Sequence, residues 1–97
     1  MQKSFKIEFF YAVENEDLCK VRELLNAGGD VNAKLLPGGW TALHCAVERG
    51  YKEMVRLLHA FNANVNAKTE SGQTPLHIAE MKGYTELAEF LLDNQSG

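Results

Sequence analysis

The 97-residue sequence contains little cysteine and no long hydrophobic run. Its two cysteines, Cys19 and Cys45, are too few for a disulfide scaffold and do not form a CxxC pair. Free thiols in a reducing compartment are therefore expected. No apolar run approaches the ~18 residues of a membrane span. Lys6 and Glu8 interrupt the N-terminal segment, which argues against a signal peptide. These features predict an intracellular protein, cytoplasmic with a nuclear location left open, and without a membrane partner.

Charge of one sign does not dominate the sequence either. It holds 10 basic and 13 acidic residues, well interspersed, for a net charge of −3. Without a basic cluster, no binding of duplex nucleic acid is predicted. The hydrophobic fraction of 45% is typical of a folded protein. The length then predicts one small domain.

Residue patterns that carry catalysis are also missing. The sequence has no Ser/His/Asp order, glycine-rich phosphate loop or paired carboxylates, and its three histidines lack the spacing of a metal site. Gly38 and Gly39 follow Pro37 in a pattern that a turn explains without any phosphate. We therefore expect neither an enzyme nor a cofactor or metal site.

What the sequence does contain is an internal repeat. Residues 39–51, GWTALHCAVERGY, match residues 72–84, GQTPLHIAEMKGY, at a constant offset of 33. Residues 31–34 and 65–68 both spell VNAK, at an offset of 34, so one additional residue lies in the first turn, between Asn32 and Thr41. A period of this length indicates a solenoid whose neighbouring units bury a shared core.

The repeated segment resembles the ankyrin family. The resemblance rests on T-P-L-H-x-A at residues 74–79, its variant TALHCA at 41–46, and DVNA at 30–33. It implies an all-α ankyrin-repeat solenoid of three helix pairs joined by two short β-hairpin-like fingers, at about residues 29–40 and 63–73. We predict a single ankyrin-repeat domain over residues 1–97, with repeats at about residues 5–38, 39–71 and 72–97.

Local signals agree with these helix pairs. Thr74 can cap a helix, Pro75 suits its first position, and Gly83 suits the left-handed residue that ends it. Phe10 replaces the motif histidine in the first repeat, as in a capping repeat, and the last repeat stops at residues 95–97, where its own finger would begin. Four leucines at matching positions should be nearly fully buried: Leu43, Leu58, Leu76 and Leu91.

Two histidines are candidates for catalysis or metal binding, and two asparagines are candidates for hydroxylation. For His44 and His77, the resemblance instead implies a structural role, in which the ring bonds the turn beside the capping threonine and ties neighbouring repeats together. For Asn32 and Asn66, it implies side-chain bonds that stabilise the fingers. Hydroxylation of these asparagines, known in animal ankyrin proteins, stays open as the alternative.

The resemblance also implies where a partner would bind. In ankyrin-like stacks the concave face is built from the finger tips and the exposed edges of the inner helices. Carried over residue by residue, the protein-binding face comprises Glu14, Asn15, Leu35, Leu36, Trp40, Glu48, Arg49, Lys68, Glu70, Gln73, Met81 and Lys82.

The first finger is unusually apolar, since residues 35–40 spell LLPGGW. Large apolar groups on an exposed turn are unfavourable unless something covers them, and Trp and Arg are enriched at binding hot spots. We expect Leu35, Leu36 and Trp40 to be substantially solvent-accessible and, with Arg49, to form the centre of the site. In the alternative, the leucines fold back onto the stack.

Two functions from different classes remain open. The ankyrin resemblance favours a non-catalytic module that binds a protein partner of unknown identity, as a monomer. The alternative is a nucleotide or small-molecule sensor, because residues 12–17 and 38–41 resemble the opening repeats of the 2-5A-dependent endoribonuclease family. That resemblance implies that Trp40 stacks on an adenine. The phosphate-holding lysine of the family corresponds here to Thr69, with Lys68 beside it.

Overall fold

A computed structural model describes residues 4–94 of the chain, which fold into consecutive helix pairs. The pairs are α1 (Phe5–Glu14) with α2 (Leu18–Asn26), α3 (Ala42–Arg49) with α4 (Lys52–Ala60), and α5 (Pro75–Lys82) with α6 (Thr85–Asp93). Within the described residues, the predicted all-α solenoid of three helix pairs is confirmed. Residues 95–97, at which the last repeat was predicted to stop, lie outside the described part.

The two fingers differ in regularity. The first is an antiparallel hairpin of β1 (Lys34–Leu36) and β2 (Trp40–Thr41), in which Lys34 lies opposite Thr41 and Leu36 opposite Trp40. The second, residues 63–73, holds no assigned strand and is closed by turn bonds. In it the Thr69 N–H donates to the Gln73 carbonyl at 2.9 Å. The prediction of two hairpin-like fingers therefore holds in full only for the first.

The helix ends follow the local sequence signals. The Thr74 hydroxyl oxygen accepts from the His77 N–H at 3.2 Å, with Pro75 at the start of α5. Gly50 and Gly83 end α3 and α5 with φ of 75° and 73°, a left-handed conformation that glycine adopts without a steric penalty.

The hydrophobic core lies between the layers, where α1, α3 and α5 pack side by side and α2 packs on α4. Leu43, Leu58 and Leu91 are at most 1% exposed, as predicted. Leu76 is only half-buried, so the prediction of near-complete burial was wrong for this residue. The next helix pair covers Leu43, whereas no further helix pair follows Leu76 within residues 4–94.

Tyrosine hydroxyls fasten each helix pair to the one before it. Tyr51 donates to the Glu14 carbonyl at 3.0 Å, and Tyr84 donates to the Glu48 carbonyl at 3.4 Å. Both tyrosines directly precede an outer helix, and both carbonyls lie near the end of an inner helix. These repeated contacts fix how the inner helices present their exposed edges.

Candidate functional site

His44 joins the second inner helix to the second finger. Its ring is 0% exposed. The Thr41 N–H donates to Nδ1 at 3.1 Å, so Nε2 carries the proton and donates toward the carbonyls of Ala67 at 3.0 Å and Gln73 at 3.2 Å. Burial lowers the pKa of His44, because the charged ring would lose its hydration. His44 is thus a neutral structural residue, as the sequence predicted.

His77 occupies the same motif position but behaves differently. Its side chain is exposed, and within residues 4–94 its ring makes no hydrogen bond. The ring of His44 has a following finger to bond, whereas the described chain has none beyond His77. The structural role predicted for the His77 ring is therefore absent here.

The two fingers are also bonded to each other. The Glu70 N–H donates to the Gly38 carbonyl at 2.8 Å, and the Asn64 N–H donates to the Asn32 side-chain oxygen at 2.7 Å. Gly39 has a φ of +79°, and a Cβ there would lie 3.4 Å from the Glu70 nitrogen. The positive φ favours glycine at this position, whereas the added Cβ would make only an ordinary contact. The two hydrogen bonds join the fingers into one connected surface.

The apolar residues of the first finger do not project into solvent. Leu35, Leu36 and Trp40 are each half-buried and pack against the hydrophobic core. The ring of Trp40 lies 5.7 Å from that of His44, centroid to centroid. The predicted substantial exposure of these three side chains was wrong, because β1 contacts α1 and β2 contacts α3. The alternative, in which the leucines fold back onto the stack, describes the finger.

Arg49 is engaged within the molecule. Its guanidinium donates to the carboxylate of Glu14 across the junction of the first two inner helices. That hydrogen bond, together with the negative charge of Glu14, raises the pKa of Arg49. The arginine predicted as a binding anchor therefore also joins two repeats. It is paired with Glu14 before any partner binds.

The remaining residues predicted for the binding face lie mostly in solvent. Gln73 is half-buried and offers its backbone carbonyl to His44. Met81 is 60% exposed, which is unusual for a large apolar side chain. The other exposed members are Asn15, Glu48, Lys68, Glu70 and Lys82.

Thr69, at the position of the phosphate-holding lysine in the nucleotide hypothesis, supports the second finger. It is 5% exposed, and its hydroxyl accepts from the Gln73 N–H at 3.1 Å and lies 3.1 Å from the Ser71 hydroxyl. The neighbouring Lys68 is exposed. A phosphate near this finger would therefore meet Lys68 and not Thr69.

The sequence interpretation missed two exposed apolar side chains on α1. Ile7 and Tyr11 are 55% and 60% exposed. They line a groove of about 610 Å³ between α1 and α2, together with Glu8 and Lys20. The spacing of four residues was visible, since Ile7 and Tyr11 form a second apolar stripe on α1 besides its buried side.

The two cysteines differ in their surroundings. Cys45 is buried, and desolvation raises the pKa of its thiol to about 12. Cys19 is exposed. Between residues 4 and 94, no cluster of His, Cys, Asp and Glu could hold a metal ion. No helix in that range has the length and apolar character to cross a membrane.

The family model described as "Ankyrin repeats (3 copies)" matches residues 9–97. The chain belongs to the ankyrin-repeat family. Ankyrin repeats generally mediate protein–protein interaction, and the repeats themselves are non-catalytic binding modules.

Several relatives share this ankyrin-repeat segment. The human 2-5A-dependent ribonuclease is 38% identical over 76 residues, which are 78% of this chain and 10% of that protein. Human protein phosphatase 1 regulatory subunit 27 is 36% identical over 84 residues, 87% of this chain and 54% of the subunit. The NF-kappa-B p105 subunit of Gallus gallus is 42% identical over 80 residues, 81% of this chain and 8% of that protein. The chain thus spans about half of the regulatory subunit and about a tenth or less of the other two.

Proposed function

We propose that this ankyrin-repeat chain binds a protein partner through its fingers and the adjoining edges of its inner helices. The likeness to a protein phosphatase 1 regulatory subunit and to an NF-kappa-B subunit supports a partner that is itself a protein. The observation that carries the proposal is the connection of the two fingers to each other and to α3, through Glu70, Gly38 and His44.

This connection matters because ordering a loop on binding costs free energy. A surface that is already held in place loses less conformational entropy when a partner docks. His44 ties α3 to the carbonyls of the second finger, and Glu70 ties that finger to the first. The partner therefore meets a pre-organised surface of two fingers and a helix.

The chemistry of this face suits a protein interface. Trp40 is a half-buried aromatic side chain of the first finger, and Met81 is an exposed apolar side chain on α5. The same fingers and inner helices carry exposed charges of both signs, on Glu48, Lys68, Glu70 and Lys82. Protein interfaces combine apolar side chains with polar and charged ones.

Capture of partners from host lysate, quantified by mass spectrometry, tests the proposal. We expect Met81→Ala to lower recovery of the specific partner, since Met81 is exposed and its loss leaves the core intact. Leu92→Ala is the matched control, because Leu92 is 50% exposed on an outer helix. Trp40→Ala should lower recovery further, but its partial burial requires a melting curve beside it. Equal recovery with Met81→Ala and wild type, or a greater loss with Leu92→Ala, would move the site off this face.

A second candidate function rests on the likeness to the 2-5A-dependent ribonuclease. On this hypothesis Trp40 stacks on a base and Lys68 meets phosphate. Titration with 2-5A, followed by the fluorescence of Trp40, is the direct test. A saturable change that Lys68→Ala weakens would support nucleotide binding, and an unchanged spectrum at millimolar ligand would refute it.

We also propose a cytoplasmic location, because Cys19 and Cys45 are free thiols. Fractionation of cells that produce the tagged chain would test this, and recovery from a secretory compartment would contradict it.

A further inference from the structure

The side chain of Met81 is an oxidisable group on the proposed protein-binding face. It is 60% exposed near the end of α5, whereas Met54, in α4, is 0% exposed. Oxidation of a thioether to the sulfoxide converts a flexible apolar side chain into a polar one. The two methionines of the described residues therefore differ in their access to an oxidant in solution.

The exposure of Met81 belongs to its position in the repeat. The matching residue of the second repeat is Glu48, the penultimate residue of α3, as Met81 is of α5. Glu48 is exposed although α5 packs against α3. This edge of the inner helices therefore lies in solvent even where a further helix pair follows, and an oxidant reaches it from the side on which a partner would bind.

A polar atom on the side chain of Met81 is compatible with the fold. Glu48 already carries a carboxylate at the matching position. Met81 also lies outside the hydrophobic core, to which Met54 and the nearby residues Ile78 and Ala79 of α5 belong. The oxygen of a sulfoxide on Met81 would be hydrated, so oxidation changes the surface and leaves the packing intact.

The oxidation would alter an apolar contact that the face has once. Among the residues assigned to this face, all within residues 4–94, Leu35, Leu36 and Trp40 are half-buried, and the exposed members other than Met81 are polar or charged. A partner that covers Met81 would have to bury the sulfoxide oxygen as well. Burying that oxygen is unfavourable unless the partner supplies a hydrogen bond.

We propose that Met81 is a site of reversible oxidation by peroxide, and that its sulfoxide weakens binding of the protein partner, an effect that rests on the proposed function. The sulfur lone pair forms a bond to one oxygen of hydrogen peroxide, and the O–O bond breaks. The other oxygen leaves with both protons as water, so sulfur loses two electrons and the peroxide gains them. A methionine sulfoxide reductase restores the thioether with two thiol groups, which become a disulfide, while the oxygen leaves as water.

Peroxide treatment of the folded chain, followed by peptide mass spectrometry, tests the oxidation itself. Cys19→Ser is the starting variant, because the exposed Cys19 thiol also reacts with peroxide. Met81 should gain one oxygen atom about as fast as free methionine, and Met54 should stay unmodified until urea unfolds the chain. Equal rates for Met54 and Met81 in the folded chain would overturn the proposal. So would an unreacted Met81 when free methionine is consumed.

Capture of partners from host lysate, with bait that was treated with peroxide and then desalted, tests the effect on binding. Recovery is compared within one variant, as the ratio of treated to untreated bait. The ratio should fall roughly tenfold for Cys19→Ser. It should stay near one when Met81→Leu is added, because leucine has no sulfur. Incubation of the treated bait with methionine sulfoxide reductases and a thiol should restore recovery.

A relocated methionine is the matched control. Leu92 is 50% exposed on α6, outside the proposed binding face. In bait that carries both Met81→Leu and Leu92→Met, peroxide should oxidise the introduced methionine and leave the recovery ratio near one. A ratio that falls in this variant would show that an exposed sulfoxide elsewhere has the same effect, which would overturn the assignment to Met81.

The outcomes separate this inference from the proposed function. If Met81→Ala lowers recovery and oxidation of Met81 does not, the binding face stands and the effect of oxidation is wrong. If neither change lowers recovery, both the effect and that face are wrong. Circular dichroism of treated and untreated bait checks the fold, and unfolding on oxidation of Met81 would overturn the inference as well.

Discussion

Replacing His44 by alanine should destabilise this ankyrin-repeat chain far more than the same change at His77. Both histidines occupy the same position of the repeated motif. His44 is 0% exposed and hydrogen-bonded at both ring nitrogens, whereas His77 is exposed. The pair therefore separates the effect of the motif from the effect of its surroundings.

The magnitude follows from what the alanine removes. Loss of the bonds from the Thr41 N–H and to the finger carbonyls costs about 1 kcal/mol for each ring nitrogen. Truncating a fully buried ring leaves a cavity that adds about 2 kcal/mol. His44→Ala should therefore lower the free energy of unfolding by about 4 kcal/mol, a large part of the total for a small domain. His77→Ala should change it by at most about 0.5 kcal/mol.

Urea unfolding followed by circular dichroism measures both variants at pH 7.5. Equal losses for His44→Ala and His77→Ala would refute the reasoning, because burial and bonding would then contribute nothing. The intrinsic fluorescence of Trp40, which packs beside His44, reports whether the first finger loosens in the same transition.

The pH dependence gives a second measurement on His44. Its folded pKa lies below the ordinary value of 6.5, so the unfolded chain binds the proton more readily. The contribution of His44 is therefore complete above pH 6.5 and is lost as the pH falls from 6.5 toward the lowered folded pKa. The stability difference between wild type and His44→Ala should shrink in that window. A difference that grows on acidification would contradict the neutral Nε2–H assignment.

Three further predictions concern the core and the thiols. Leu43→Ala should lower the free energy of unfolding in urea by about 2–5 kcal/mol, and Leu76→Ala should lower it distinctly less, because only Leu43 is fully covered. Equal losses for the two variants would contradict the assigned stacking. Ala42→Pro should leave the free energy of unfolding unchanged or raise it by about 0.4–1 kcal/mol, since the matching position of the next repeat is already proline. A decrease of more than about 1 kcal/mol would show that the helix starts elsewhere. A thiol reagent at pH 8 should modify Cys19 at once and Cys45 only on unfolding, which mass spectrometry would show; rapid double modification would contradict the burial.

The residues of the proposed protein-binding face and the exposed Tyr11 differ in how visible they were in the sequence. The finger residues were found through the family motif, yet their exposure was misjudged, because a short hairpin can project or lie flat with the same sequence. Tyr11 was missed for the opposite reason. Its position in the motif predicts a buried residue, and only the lack of a preceding helix pair in the described chain exposes it.

The sequence by itself determined the repeat, the helix boundaries and most of the core. These features depend on local chemistry. Thr74 caps a helix, Pro75 begins it and Gly83 ends it whatever lies nearby, and the apolar spacing selects the buried side of each helix. A fold assembled from units that contact their neighbours is therefore largely encoded within each unit.

Only the tertiary structure decided which of two equivalent residues is buried and bonded. Leu43 and Leu76 share a motif position, as do His44 and His77, yet the first of each pair is buried and the second is not. The cause is the next repeat, whose finger and helices cover α3, while none within residues 4–94 covers α5. What surrounds a side chain in a stack depends on residues about a whole repeat away, which a local pattern does not specify.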